Sequence, residues 1–284
     1  MTVSFGARLR VAIDELGPLC AGIDPHPGLL SHWGLDDTVQ GLESFAMTCV
    51  EAFAGTVAVV KPQSAFFERF GAAGVAVLER TLAGLREAGT LSLLDVKRGD
   101  IGSTMTAYAQ AYLSPGSPLR ADAITVSPFL GFESLRPALE LAHETGRGLF
   151  VLALTSNPEG AQVQHAARDG RTVAGCIVDG VSAQNSADGA AGVLGSVGMV
   201  VGATVGDAVH RLGLDLAAAN APLLAPGVGA QGATADDLKQ VFDRARGNVL
   251  ASSSREILGA GPDAAALKAA ARHTARQLNA ILST

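Results

Sequence analysis

Short apolar runs recur along the chain, each closed by a polar turn and followed by a longer stretch with helical periodicity. Runs at 19–24, 57–62, 91–97, 123–127, 148–155, 198–203, 223–226 and 248–252 predict strands. Helical patterns lie between them, among others at 42–53, 65–88, 135–145 and 235–245, and a last one covers 264–282. Strands alternating with helices specify βαβ units and a parallel sheet. Eight such units match a (β/α)8 TIM barrel formed as a single domain over residues 1–284, although a doubly wound open sheet shares the same alternation. In a barrel, functional groups gather at the C-terminal ends of the strands. Those ends here carry Asp24, Lys61, Asp95, Lys97, Ser127, Thr155, Pro226, Ser254 and Arg255, most of them polar or charged groups that a purely structural strand end would not need. The stretch 159–191, rich in Gly, Ala, Gln and Asp, exceeds the usual βα connection. It reads as an elaborated fifth connection, not as a second domain.

Composition narrows the picture. Hydrophobic residues make up 48% of the 284 and aromatics only 5%, so the expected core is large and aliphatic. The net charge of −6, with no Lys/Arg-rich run, argues against broad nucleic-acid binding but leaves room for a small basic pocket. Cys20, Cys49 and Cys176 are far apart and form no CxxC pair. A zinc site, a redox dithiol and a disulfide framework are therefore not expected; three reduced, buried or half-buried thiols are. The N-terminus lacks an apolar signal-peptide core, and no apolar run is long enough to span a bilayer. A soluble, cytoplasmic protein without membrane partners is expected. The six histidines form no helical pair with a glutamate base, and Ser127 is not in a Gly-x-Ser-x-Gly elbow.

The densest chemistry lies at 93–104, Leu-Leu-Asp-Val-Lys-Arg-Gly-Asp-Ile-Gly-Ser-Thr. Residues two apart in a strand share a face, so Asp95 and Lys97 should point together into the barrel mouth. Lys61 ends the preceding strand and should approach Asp95, while Gly99 allows a turn toward Asp100. The expected result is an alternating Lys–Asp–Lys–Asp array in which each charge keeps its neighbours ionised. An Asp-x-Lys pair alone is more often a solvated ion pair of little consequence; lysines at two successive strand ends favour a site. A second signal is the glycine-rich loop at 226–232, where backbone N–H groups can approach an anion. Arg255, after the next strand, could grip a phosphate through two N–H groups.

The run from Asp95 to Thr104 resembles the signature of the orotidine 5′-phosphate decarboxylases, with wording like that of the mycobacterial-type branch. The likeness extends to 21–25, 61–68, 155–158, 226–232 and 253–255. It implies decarboxylation of orotidine 5′-monophosphate to UMP, in pyrimidine biosynthesis, without a cofactor or metal. By this resemblance Lys97, Asp95, Asp100 and Lys61 are catalytic. Asp24 and Lys61 would bind ribose hydroxyls; Ser127 and Pro226 would border the base. Gln231, Arg255 and the backbone N–H of Ser254 would hold the phosphate, and Ile101 and Thr104 would complete the substrate set beside Asp100. The resemblance also implies a homodimer in which Asp100 and Thr104 reach the partner's site. Phosphosugar enzymes of the same barrel group share Asp-x-Lys-x-x-Asp but use Mg²⁺ with an acidic residue at the second strand end, where this chain has Lys61. A non-catalytic nucleotide sensor would have no need of the full Lys/Asp set.

Overall fold

The computed structural model describes residues 2–228 and 233–283. Among them, eight parallel strands close a barrel. These are β1 (Leu19–Ile23), β2 (Val59–Pro62), β3 (Leu91–Arg98), β4 (Ala123–Val126), β5 (Gly148–Leu154), β6 (Val197–Val201), β7 (Leu223–Pro226) and β8 (Val249–Ser253). Closure is direct: β1 pairs with β2 on one side and with β8 on the other, which rules out an open sheet. The chain thus forms the expected (β/α)8 barrel.

Strand alternation sorts each side chain to the interior or to the helices. Leu19, Ala21 and Ile23 of β1, Leu94 and Val96 of β3, and Leu149 and Val151 of β5 face outward into the core shared with the surrounding helices. Inward residues change character along the barrel axis. Near the N-terminal end Cys20, Val59, Leu91, Leu93, Phe150, Leu224 and Leu250 form an apolar plug with Phe5, Leu9 and Ile13 of the helix Phe5–Leu16. That helix closes the bottom of the barrel; its edge-on contact between Phe5 and Phe150 has ring centroids 6.0 Å apart. One step of two residues higher, the inward set becomes polar: Val59 gives way to Lys61, Leu93 to Asp95, Ala123 to Thr125 and Leu250 to Ser252. The site is therefore built on rigid strands above a dry floor.

Several boundaries differ from the sequence pattern. The helix expected at 65–88 is two helices, Ser64–Glu68 and Gly71–Glu87, broken where Gly71 takes φ +61°. The pattern at 235–245 leaves the α-helix at Phe242 and continues as a 3₁₀ turn. Cys20 and Cys49 are buried as expected, but Cys176 is exposed, because it lies on the outer face of the helix Val173–Gln184. The 159–191 connection contains short helices, a two-stranded hairpin (Ala167–Arg168 with Arg171–Thr172) and Val173–Gln184, whose Ala174, Ile177, Val178 and Val181 join the main core. No helix among the described residues is long and apolar enough to cross a membrane.

Candidate active site

A cavity of about 510 Å³ opens at the C-terminal ends of the strands. One wall is a chain of charges. Lys61 Nζ lies 3.2 Å from Asp95 Oδ2 and 3.9 Å from Asp24 Oδ1, and Lys97 Nζ lies 2.6 Å from Asp95 Oδ1. The burial gradient along this wall is steep: the Lys61 side chain is 8% exposed and that of Asp95 10%, whereas Lys97 is 44% exposed and reaches into the open mouth. Burial alone would drive the Lys61 ammonium toward neutrality, but the Asp24 and Asp95 carboxylates outweigh it and hold its pKa above the ordinary lysine range. Burial likewise favours protonated Asp95, yet the Lys61 and Lys97 charges, with hydrogen bonds from Lys97 and Thr125, hold it below the usual carboxylate range. Beneath this wall the Cys20 thiol is pushed up to about 12 by burial, and so stays neutral.

The array differs from the expected one at its outer end. Asp100 accepts the N–H of Ile101 at 2.8 Å and does not line the cavity of its own chain. The alternating set within one chain is Asp24–Lys61–Asp95–Lys97. The cause is local. Gly99 does not make a left-handed turn; it lies so close to β4 that a Cβ there would sit 2.2 Å from the Ser127 carbonyl oxygen. The chain is carried outward at this point. Ile101 is 61% exposed, and Thr104 is exposed on the helix Gly102–Leu113. Ser127 also misses the cavity lining; its hydroxyl donates to the Lys97 carbonyl at 3.1 Å.

The opposite wall holds residues that the sequence reading assigned to the base and the phosphate. Pro226, Ser254 and Arg255 line the cavity. Gly227 takes φ +106°, a conformation that favours glycine, and the base of the loop is pinned by the Ala233 N–H donating to the Gly227 carbonyl at 3.2 Å. Gln231 lies outside the described residues. The Arg255 guanidinium makes no ion pair among the described residues, which leaves its donors free for an anion. The ends of β1 and β8 meet so closely that a Cβ on Gly22 would stand 1.9 Å from Ser254 Oγ. Asp24 Oδ1, buried between them, has no hydrogen-bond partner among the described residues; a buried carboxylate oxygen left open in this way suits a ligand hydroxyl.

Among the lining residues that were not singled out from sequence are Thr125 and Gln164. Thr125 donates to Asp95 Oδ1 at 2.7 Å and accepts the Lys97 N–H at 2.9 Å. Strand parity could have found it, since it is two residues on from inward-facing Ala123. Gln164, within the 159–191 connection, accepts the Thr155 N–H at 2.8 Å and donates to Thr155 Oγ1 at 2.6 Å, while Thr155 Oγ1 lies 2.7 Å from Asn157 Oδ1. Nothing in the spacing of Gln164 marks it in advance, whereas Asn157 lies in the 155–158 run that carries the family resemblance.

Fixed charges at the strand ends of a closed barrel, with an arginine in the same cavity, are the arrangement of a (β/α)8-barrel enzyme's active-site mouth. Comparison with known proteins narrows this class. The model of the "Orotidine 5'-phosphate decarboxylase / HUMPS family" matches residues 17–270. An orotidine 5′-phosphate decarboxylase of Salinispora arenicola is 62% identical over 281 residues, covering 99% of both chains, and one of Streptomyces coelicolor is 59% identical over 94% of both. A crystal structure from Streptomyces avermitilis, assigned to the same enzyme, superposes with TM-score 0.94 at 56% identity, covering 100% of this chain and 97% of that one. The chain belongs to the orotidine 5′-phosphate decarboxylase / HUMPS family.

Proposed function

We propose that this chain decarboxylates orotidine 5′-monophosphate to UMP in pyrimidine biosynthesis. Its curated relatives carry that activity in their names at about 60% identity. The observation that carries the mechanism is the Lys61–Asp95–Lys97 wall. Loss of CO₂ breaks the bond from the carboxyl carbon to C6 and leaves the electron pair on C6, in the ring plane, where the ring cannot readily delocalise it. A fixed cation beside C6 stabilises that pair as it forms. Lys97 is the one cation of the wall that reaches into the open mouth, so it supplies this charge and then a proton to C6, and is reprotonated from solvent. Asp95, held ionised, orients Lys97 and lies near the departing carboxylate. Asp24 and Lys61 take the ribose hydroxyls, Pro226 borders the base, and Arg255 holds the phosphate with Gln231 and the Ser254 N–H. The wall also separates this reading from a metal-dependent phosphosugar reaction: the Lys61 ammonium occupies the space between Asp24 and Asp95, the two carboxylates that would otherwise face a cation.

Asp100, Ile101 and Thr104 enter the reading through a second copy. Exposed Ile101, Phe129 (79%) and Leu130 (54%) lie on the segments that follow β3 and β4, and large exposed apolar residues suit an interface. In a two-fold dimer, Asp100 would complete the partner's Lys–Asp–Lys wall as its fourth charge. A cytosolic setting accords with two buried free cysteines and a third that is exposed and unpaired. The direct test is Lys97→Ala. It should lower kcat by at least about a thousandfold, or about 4 kcal/mol of transition-state stabilisation, with UMP affinity little changed. A variant that kept a substantial share of kcat would remove the proton-donor role.

A further inference from the structure

The β3–β4 pairing is regular up to Leu94 opposite Ile124 and resumes at Arg98 opposite Val126. Between these points β3 runs through Asp95, Val96 and Lys97, while β4 supplies Thr125 alone. Two extra residues are thus looped out of β3 where the catalytic pair sits. Such a bulge re-aims side chains and breaks the ladder. It also puts Lys97 at φ +47°, a left-handed conformation costly for a residue with a long side chain. Something must hold the excursion in place. On the β4 side backbone pairing cannot, because the ladder is interrupted there; on the other side Asp95 is bridged to Gln63, just past β2, but Lys97 is not tied by that bridge.

We infer that Thr125 is the positioning residue of the reaction, its one hydroxyl tying both ends of the Asp95–Val96–Lys97 excursion to β4. The geometry fixes the direction of each bond. The Lys97 N–H can only donate, and Thr125 Oγ1 accepts it at 2.9 Å. The Asp95 carboxylate can only accept, so the hydroxyl proton points to Oδ1, at 2.7 Å. The rotor is locked by its two neighbours. The same Oδ1 also takes Lys97 Nζ at 2.6 Å, so side chain and backbone of Lys97 are held through one small triangle. Thr125 is 1% exposed. Both hydrogen bonds of its hydroxyl go to Asp95 and Lys97, so Thr125 acts through them, and the inference rests on the decarboxylase reading above.

Thr125→Val and Thr125→Ser separate positioning from packing. Valine keeps the shape and removes the hydroxyl; serine keeps the hydroxyl and removes a buried methyl group. If Thr125 only fills space, serine is the worse substitution. If it positions the pair, valine is. We expect Thr125→Val to lower kcat tenfold or more with UMP affinity within about threefold, and Thr125→Ser to keep kcat within about threefold. The acid limb of kcat/KM should also move to higher pH in Thr125→Val, because Asp95 loses a donor. The groups that set Asp95 are otherwise unchanged: Lys61 from β2, Cys20 and Asp24 from β1 and the loop beyond it, and Lys97 on its own strand. Equal kcat in wild type and Thr125→Val, or serine faring worse than valine, would overturn the assignment. If wild type turned over no orotidine monophosphate, the decarboxylase reading would fail. Hydrogen exchange at the Lys97 amide would then decide the anchoring role by itself, with faster exchange in Thr125→Val alone supporting it and unchanged exchange refuting it.

Discussion

At the scale of single residues, the site is a contest between burial and Coulomb attraction, and attraction wins at both buried charges. Asp95 carries a depressed pKa, so its stabilising contribution is present above the ordinary carboxylate range and lost as pH falls through its folded value. Lys61 carries a raised one, so its contribution is present at neutral pH and lost only as pH rises through a value above the ordinary lysine range. Asp95→Asn leaves two ammoniums facing each other and should destabilise the protein by about 3 kcal/mol. In urea titrations that deficit should stay flat between about pH 5 and 9 and shrink in acid, as wild-type Asp95 protonates. A deficit that grew in acid would mean that the pair does not set the stability. Across the cavity, Arg255→Ala should weaken UMP binding about 10- to 100-fold, the worth of one or two charge-assisted hydrogen bonds, and wild type should bind uridine far worse than UMP. Equal affinity for the two ligands would remove the phosphate pocket. Lys61, Asp95 and Lys97 were legible in the sequence because strand ends and strand parity are local properties. Asp100 was legible as a residue beyond the strand that need not face its own barrel mouth; the close approach between Gly99 and Ser127 that accompanies its position is recorded by no local pattern.

At the scale of elements, β3 does most to create the site. Its first half is an apolar inward-and-outward alternation that anchors it in the barrel; its second half abandons the ladder to present Asp95 and Lys97. Pairing resumes at Arg98 opposite Val126, and Gly99 then packs closely against Ser127, just past β4. Gly99→Ala would place a methyl group 2.2 Å from the Ser127 carbonyl oxygen, and forcing the two segments apart should cost about 1–3 kcal/mol and lower kcat as well. A urea midpoint and a turnover rate like those of wild type would show that the backbone yields without penalty. The eight strands were legible to within two residues at each end, because parallel strands buried on both faces read as continuous apolar runs. The connection at 159–191 was not. Its polar composition gave no sign that Gln164 would return to the cavity and clamp Thr155 through two hydrogen bonds. Gln164→Ala should release that segment, so KM for the substrate should rise while thermal stability changes little.

At the scale of the whole molecule, the cavity of one chain holds an incomplete version of the predicted array, and the missing carboxylate stands on an outward-facing segment beside exposed Ile101. Mixing separates a shared site from a self-contained one. Lys97→Ala and Asp100→Ala should each be nearly inactive. After joint dissociation and reassembly in equal amounts, about half the dimers are mixed, and each of these holds one intact site, so roughly a quarter of all sites should recover. Subunit exchange verified by mass without any recovery would place Asp100 in its own chain's chemistry. The central claim, that the Lys61–Asp95–Lys97 wall decarboxylates the substrate by fixed charge, is tested most directly by following the absorbance of orotidine 5′-monophosphate with purified wild-type protein in excess EDTA. The absorbance should fall as UMP accumulates, at the same rate as without EDTA. No change in absorbance, or turnover abolished by EDTA and restored by Mg²⁺, would contradict it.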